Sequence, residues 1–148
     1  MDKINRYDTD KELSEIWSDE FRYSLWLRIE NLVLKRWCDE LGIANKYIDL
    51  EAEYNNASGS GHAMVCWVED GVSRTQHEMT AFIDAIYLML GDKADGLPLH
   101  RGLTSSDVMD TALSIQMKAS VDHIRQQLLK CAEVLRGQIK LHINDICL

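Results

Sequence analysis

Proline occurs once in the 148 residues and glycine eight times. So little turn chemistry argues against a fold of many hairpins, which needs such residues at its corners. The four cysteines, Cys38, Cys66, Cys131 and Cys147, include no C-x-x-C pair. No zinc-type spacing of Cys and His is present, so the pattern predicts free, buried thiols and no metal or other cofactor. No apolar run reaches the length of a membrane span, and no charged-then-apolar leader opens the chain, so the sequence reads as cytoplasmic and independent of membranes. Basic residues are in the minority: 16 Lys and Arg against 24 Asp and Glu give a net charge of −8. That excludes a nucleic-acid backbone as a general partner but leaves room for a small anion held by a local cluster.

What the chain does have is helical periodicity. Hydrophobic residues make up 46% and charged residues 27%, ordinary values for a globular core. Thr9 with Glu12 fits a capping box for a short helix ending at Ile16. Ser18 or Asp19 then caps a longer helix to about Leu41, closed by Gly42, with Phe21, Leu25, Ile29, Leu32, Val33 and Trp37 at helical spacing. Trp17, Trp26 and Trp37 read as core or interface anchors. Residues 45–54 are weakly helical, 55–61 read as a loop, and 62–69 form an apolar run that is helix or strand by propensity, broken at Asp70-Gly71. The spacing predicts one helix from Thr75 to Leu90.

The most informative stretch follows Gly91, Gly96 and Pro98 and runs His100-Arg101-Gly102-Leu103-Thr104-Ser105-Ser106-Asp107-Val108-Met109-Asp110-Thr111-Ala112-Leu113. Three hydroxyl residues and early aspartates mark a helix start, where free N–H groups make an anion site. A helix from Thr104 to about His142 would be roughly 58 Å long. Leu113, Met117, Val121, Ile124, Leu128, Cys131, Leu135 and His142 form its main stripe, with Val108, Ala112, Ile115 and Ala119 beside it. Two such stripes need partner helices along the length.

This stretch resembles the H-x-G-L-T-S-[ST]-D-V-x-D-T-A segment of the adenylosuccinate lyases, in the fumarase/aspartase superfamily. Arg6-Tyr7, Ile16-Trp17-Ser18-Asp19-Glu20 and Trp26-Leu27-Arg28-Ile29-Glu30 resemble that family's opening. His77-Glu78-Met79-Thr80-Ala81-Phe82 resembles its H-D-V-x-A-F segment. The resemblance spans nearly the whole chain and about the first third of a family member. It implies an all-α fold: a small helical domain over 1–103, then over 104–148 a long helix that begins a bundle, and a tail.

Family members eliminate fumarate from adenylosuccinate, with sites built from segments of several subunits of a homotetramer. By resemblance, Arg6 and Tyr7 would hold the nucleotide phosphate, His77 would contact substrate and support the acid histidine, and His100, Thr104 and Ser105 would contact substrate. Read without the family, the same residues are a terminal arm, a helix histidine and a capped helix start. Gln76 and Glu78 stand where the family has Arg and Asp, and Arg101 where Tyr is common, so common descent is better supported than intact affinity. The family's T-H-x-x-x-A acid segment and its serine loop ending in K-x-N-P have no counterpart here.

The sequence therefore predicts a lyase-like chain that retains part of a purine-nucleotide pocket without the groups for elimination. The alternative is a helical module that pairs with itself, as dimer or tetramer, or with a full-length lyase. An unrelated chemistry at His77 and His100 ranks third.

Overall fold

The computed structural model of the chain describes residues 10–56 and 60–146. All regular structure among them is helical: α1 (Lys11–Ile16), α2 (Asp19–Glu40), α3 (Leu50–Asn56), α4 (Ser60–Thr75), α5 (Glu78–Leu90) and α6 (Ser105–His142), with single 3-10 turns at Ala44–Lys46 and Gly91–Ala94. No helix among these residues is long and apolar enough to cross a membrane.

Helix α2 is the hub, touching α1, α3, α4 and α6. Ser18 caps it by accepting from the Phe21 N–H, and Gly42 follows its end at φ +69°. Its buried residues are Tyr23, Leu25, Trp26, Leu27, Glu30, Asn31, Leu34 and Cys38. The expected face was different: Leu32 is 63% exposed, and two polar side chains lie inside. The reason is that α2 is enclosed by several helices, so its buried arc is wider than one stripe and takes in polar groups that find partners. Asn31 accepts from the Leu50 N–H and from the Tyr47 hydroxyl, both at 3.0 Å, and so ties α2 to the start of α3.

The core centres on Tyr23, Trp26 and Phe82. Trp26 meets Phe82 edge-on at 5.3 Å and Tyr23 at 5.2 Å, an arrangement that adds to their burial. Leu27, Leu34, Met64, Val68, Met79, Ile86 and Val108 complete it.

Several local expectations are corrected. Asp10, accepting from the Leu13 N–H at 3.1 Å, caps α1; Thr9 lies outside the described residues. Asn55 and Asn56 belong to α3, and Ser60 and Gly61 to α4. Helix α4 also runs through Asp70-Gly71. A Cβ on Gly71 would lie 2.9 Å from the Ala81 Cβ, so this glycine lets α4 and α5 approach and does not end a helix. Thr75 to Leu90 is two elements, broken at Gln76, whose φ is +55°. Of the thiols, Cys38 is buried but Cys66 and Cys131 are exposed; Cys147 lies outside the described residues.

Helix α6 spans 38 residues from a full capping box between Thr104 and Asp107. Its inner face is Val108, Ala112, Gln116, Ser120 and His123. The Gln116 amide donates to the Ile16 carbonyl at 2.7 Å, and the Trp17 indole N–H donates to the Ser120 hydroxyl at 2.9 Å. His123 lies between Asp10 and Glu12, at 2.7 and 2.9 Å. Beyond His123 the helix is exposed on all sides.

Candidate functional site

Glu30 is wholly buried on α2. A buried carboxylate is costly unless its oxygens are met by donors. Both are met by His100: its backbone N–H donates to Oε2 at 3.0 Å, and its Nδ1 lies 2.6 Å from Oε1. An ionised carboxylate only accepts, so Nδ1 carries the proton and Nε2 is the ring's remaining nitrogen. The grip also holds backbone, since His100 has a φ of +54°, uncommon for a side-chain-bearing residue.

Two turns further along α2, on the same face, Trp37 takes hold of the next residues. Its indole N–H donates to the Arg101 carbonyl at 2.7 Å, and the Arg101 guanidinium stacks over its ring at 4.7 Å. Gly102 turns the chain beside that ring at φ +77°, and α6 begins.

His77 is the N-cap of α5 rather than a residue within a helix. Its Nδ1 accepts from the Thr80 N–H at 3.3 Å. In the neutral imidazole the proton is therefore on Nε2, which lies 3.5 Å from the Ser105 hydroxyl. The capping role explains why the chain breaks at Gln76: an N-cap needs extended backbone, and His77 has φ −147° and ψ 116°.

These elements enclose a cleft of about 200 Å³ lined by Met79, Thr80, Ile83, Asp84, His100 and Ser105. The fold thus brings His77, His100 and Ser105 together from three parts of the chain. Thr104 is engaged otherwise: its hydroxyl and its N–H both donate to Asp107 Oδ2, at 3.0 and 2.7 Å. Those bonds hold the Asp107 carboxyl below its usual pKa range. Arg6 and Tyr7 lie outside the described residues.

Glu78 turns from the cleft to Arg22 and Tyr23, at 2.6 and 2.9 Å. Burial, then the Glu78 bond, push the Tyr23 hydroxyl well above its ordinary pKa. Arg74 pairs with Asp70 at 3.3 Å, and Gln76 donates to the Ser73 carbonyl at 3.1 Å. Chemically the cleft offers a carboxylate-backed imidazole, hydroxyl and N–H donors at the start of a long helix, and one half-buried acid, Asp84. Among the described residues no group of three or more His, Cys, Asp and Glu side chains could hold a metal ion.

Sequence reasoning missed Glu30 and Trp37 as parts of this site. Glu30 carried a signal: it sits four residues after Trp26 and four before Leu34, on the apolar face of α2, where a carboxylate needs a reason. Trp37 carried none, because its partner is a backbone carbonyl 64 residues away.

Over 139 residues, 94% of its length, the chain is 34% identical to the adenylosuccinate lyase of Bacillus subtilis (strain 168). Over the same length it is 33% identical to the adenylosuccinate lyase of Synechocystis sp.. The chain is related to adenylosuccinate lyase. It spans 30% of the length of either of these lyases. No family profile matches it, and no solved structure does. Helix α2, the His77 segment and the His100 to Leu113 segment all fall among the described residues, so the cleft is built from the stretches that resemble the lyases.

Proposed function

We propose that this chain carries part of a purine-nucleotide pocket of the adenylosuccinate lyase type, and that it does not by itself eliminate fumarate. The observation that supports the pocket is that His100 and Ser105 line one cleft beside the N-terminus of α6, with the His77 ring 3.5 Å from the Ser105 hydroxyl. Donors and a helix N-terminus at one place suit an anionic or strongly polar group. Arg6 and Tyr7 would add the phosphate contacts. The support for inactivity is chemical. Elimination needs a base at carbon and an acid at nitrogen. At this cleft His100 is tied to Glu30 and His77 to the start of α5, and neither belongs to the segments that supply acid and base in the family.

Calorimetry with adenosine monophosphate and with adenosine tests the pocket, and a fumarate-release assay on adenylosuccinate tests the chemistry. The reading expects heat that depends on the phosphate, and no release. Equal or absent heats for the two ligands would remove the pocket, and family-like turnover would remove the claim of inactivity.

A second reading rests on α6. Val121, Ile124, Leu128, Leu135 and Ile139 follow one another along one face and are each between 48% and 65% exposed. Each large apolar side chain left in water forgoes roughly 1.5–3 kcal/mol. A row of this length exceeds what soluble monomers usually tolerate. The partner that fits most simply is the same helix of a second copy, as dimer or tetramer. Mixing the chain with a full-length lyase and following its turnover separates self-association from a modulating role.

A further inference from the structure

A separate cleft lies between the first turns of α2 and the first half of α6, about 330 Å³ in volume. Two of its lining residues, Arg22 and Trp26, carry the buried side-chain polar atoms that lack any hydrogen-bond partner among the described residues: Arg22 Nε and Trp26 Nε1. Trp26 is 1% exposed. Buried N–H groups are nearly always paired, so two orphans beside one cleft need an explanation. On the same head, Arg22 Nη2 is engaged, shared among Asp19, the Tyr23 hydroxyl and Glu78 at 2.8, 3.0 and 2.6 Å. The guanidinium carbon lies 5.3 Å from the centre of the Trp26 ring, so the two side chains that carry the orphans are neighbours.

The remaining walls narrow the ligand. Trp17 is half-exposed, and its indole N–H is fixed on Ser120, which holds the ring in place. Leu113 is at the mouth, 43% exposed. Two indoles and an aliphatic side chain suit a flat aromatic body. Gln116 donates its amide to Ile16, which leaves its carbonyl oxygen as an acceptor. Asp19 and Asp110 also line the cleft against the single cation of Arg22, which disfavours an anion.

We propose that this cleft binds a neutral, planar heteroaromatic lactam, whose carbonyl accepts from the Trp26 and Arg22 N–H groups while its ring N–H donates to Gln116 or Asp110. Both bonds require the Trp26 and Arg22 side chains to turn toward the cleft on binding, since neither N–H is exposed to it beforehand. The site is distinct from the His77–His100 cleft and does not depend on the nucleotide reading.

The probe is 2-quinolone, followed by proton–nitrogen correlation spectra of the indole N–H groups in the full chain. The Trp26 signal is expected to move downfield and saturate at submillimolar probe. The Trp37 signal, from an indole already bonded to Arg101, stays in place. N-methyl-2-quinolone, which lacks the donor, binds about tenfold more weakly, and quinoline-2-carboxylate does not bind. Leu113→Trp, a change at the exposed mouth that leaves the core alone, abolishes the shift. Absence of any Trp26 shift, equal shifts of all the indoles, or equal binding of the carboxylate would overturn the proposal. So would a Trp26 signal that moves with protein concentration alone, since a second copy would then be filling the cleft.

Discussion

Glu30 gives the sharpest test of how the fold holds the cleft. Replacing it with alanine removes two hydrogen bonds to His100 at once and leaves the half-buried backbone N–H of a residue at positive φ without an acceptor. Bonds to a charged acceptor contribute about 1.5–3 kcal/mol each, so losing two costs about 3–6 kcal/mol. For a chain of this size that corresponds to a fall in Tm of roughly 10–15 °C.

Glu30→Gln is different. The amide oxygen can still accept from the His100 N–H, while the amide nitrogen can only donate, so Nδ1 must become an acceptor and the ring proton must move to Nε2. Stability then falls by only about 1 kcal/mol, yet in the neutral ring the nitrogen left for the cleft changes from acceptor to donor. Thermal unfolding and long-range proton–nitrogen spectra of the histidine rings read the two effects separately. If both variants lose the same stability, and His100 keeps its tautomer in Glu30→Gln, Glu30 does not set the state of this histidine.

Three further outcomes follow from other parts of the molecule. Gly71→Val forces atoms into a space where even a Cβ would lie 2.9 Å from Ala81, so it should lower stability by about 1–3 kcal/mol in denaturant unfolding; an unchanged midpoint would mean that α4 and α5 are not in close contact. The bond from Asp10 raises the pKa of His123 above 6.5, and the same bond lowers that of Asp10 below 3.8. The histidine's contribution is therefore complete below its unfolded value and lost as pH rises through its folded one, whereas that of Asp10 is lost only as pH falls through its lowered value. The Tm advantage of the unmodified chain over His123→Leu should accordingly shrink as pH rises above 6.5, and a flat difference would contradict the clamp. Ile124→Asp and Leu128→Asp place carboxylates in the exposed stripe of α6, and light scattering should show a dimer or larger for the unmodified chain and a monomer or aggregate for the variants; an unmodified monomer at micromolar concentration would refute self-association.

The start of α6 was legible because its chemistry is local: Thr104 and Asp107 satisfy each other within one turn. The Ser18 cap and Gly42 were legible for the same reason. The break at Gln76 was not. Apolar spacing runs through it, and only the need for an extended cap at His77 ends one helix and starts another. Gly71 misled because a glycine that stops a helix and one that admits a neighbouring helix look alike until the neighbour, Ala81, is in place. Motif strings alone brought His77, His100 and Ser105 into one reading, yet gave no hint that Glu30 holds His100. That is a pairing of side chains 70 residues apart, and periodicity records only which face is apolar.

Helix α6 is held along its first half, where Val108, Ala112, Gln116, Ser120 and His123 are buried, and is exposed on all sides along its second. About 19 residues extend past His123, roughly 28 Å. Ser105 rides on the held half, 3.5 Å from the His77 ring. The helix is therefore a cantilever, and a load on its free arm is borne by those five buried residues before it can reach the spacing across the cleft.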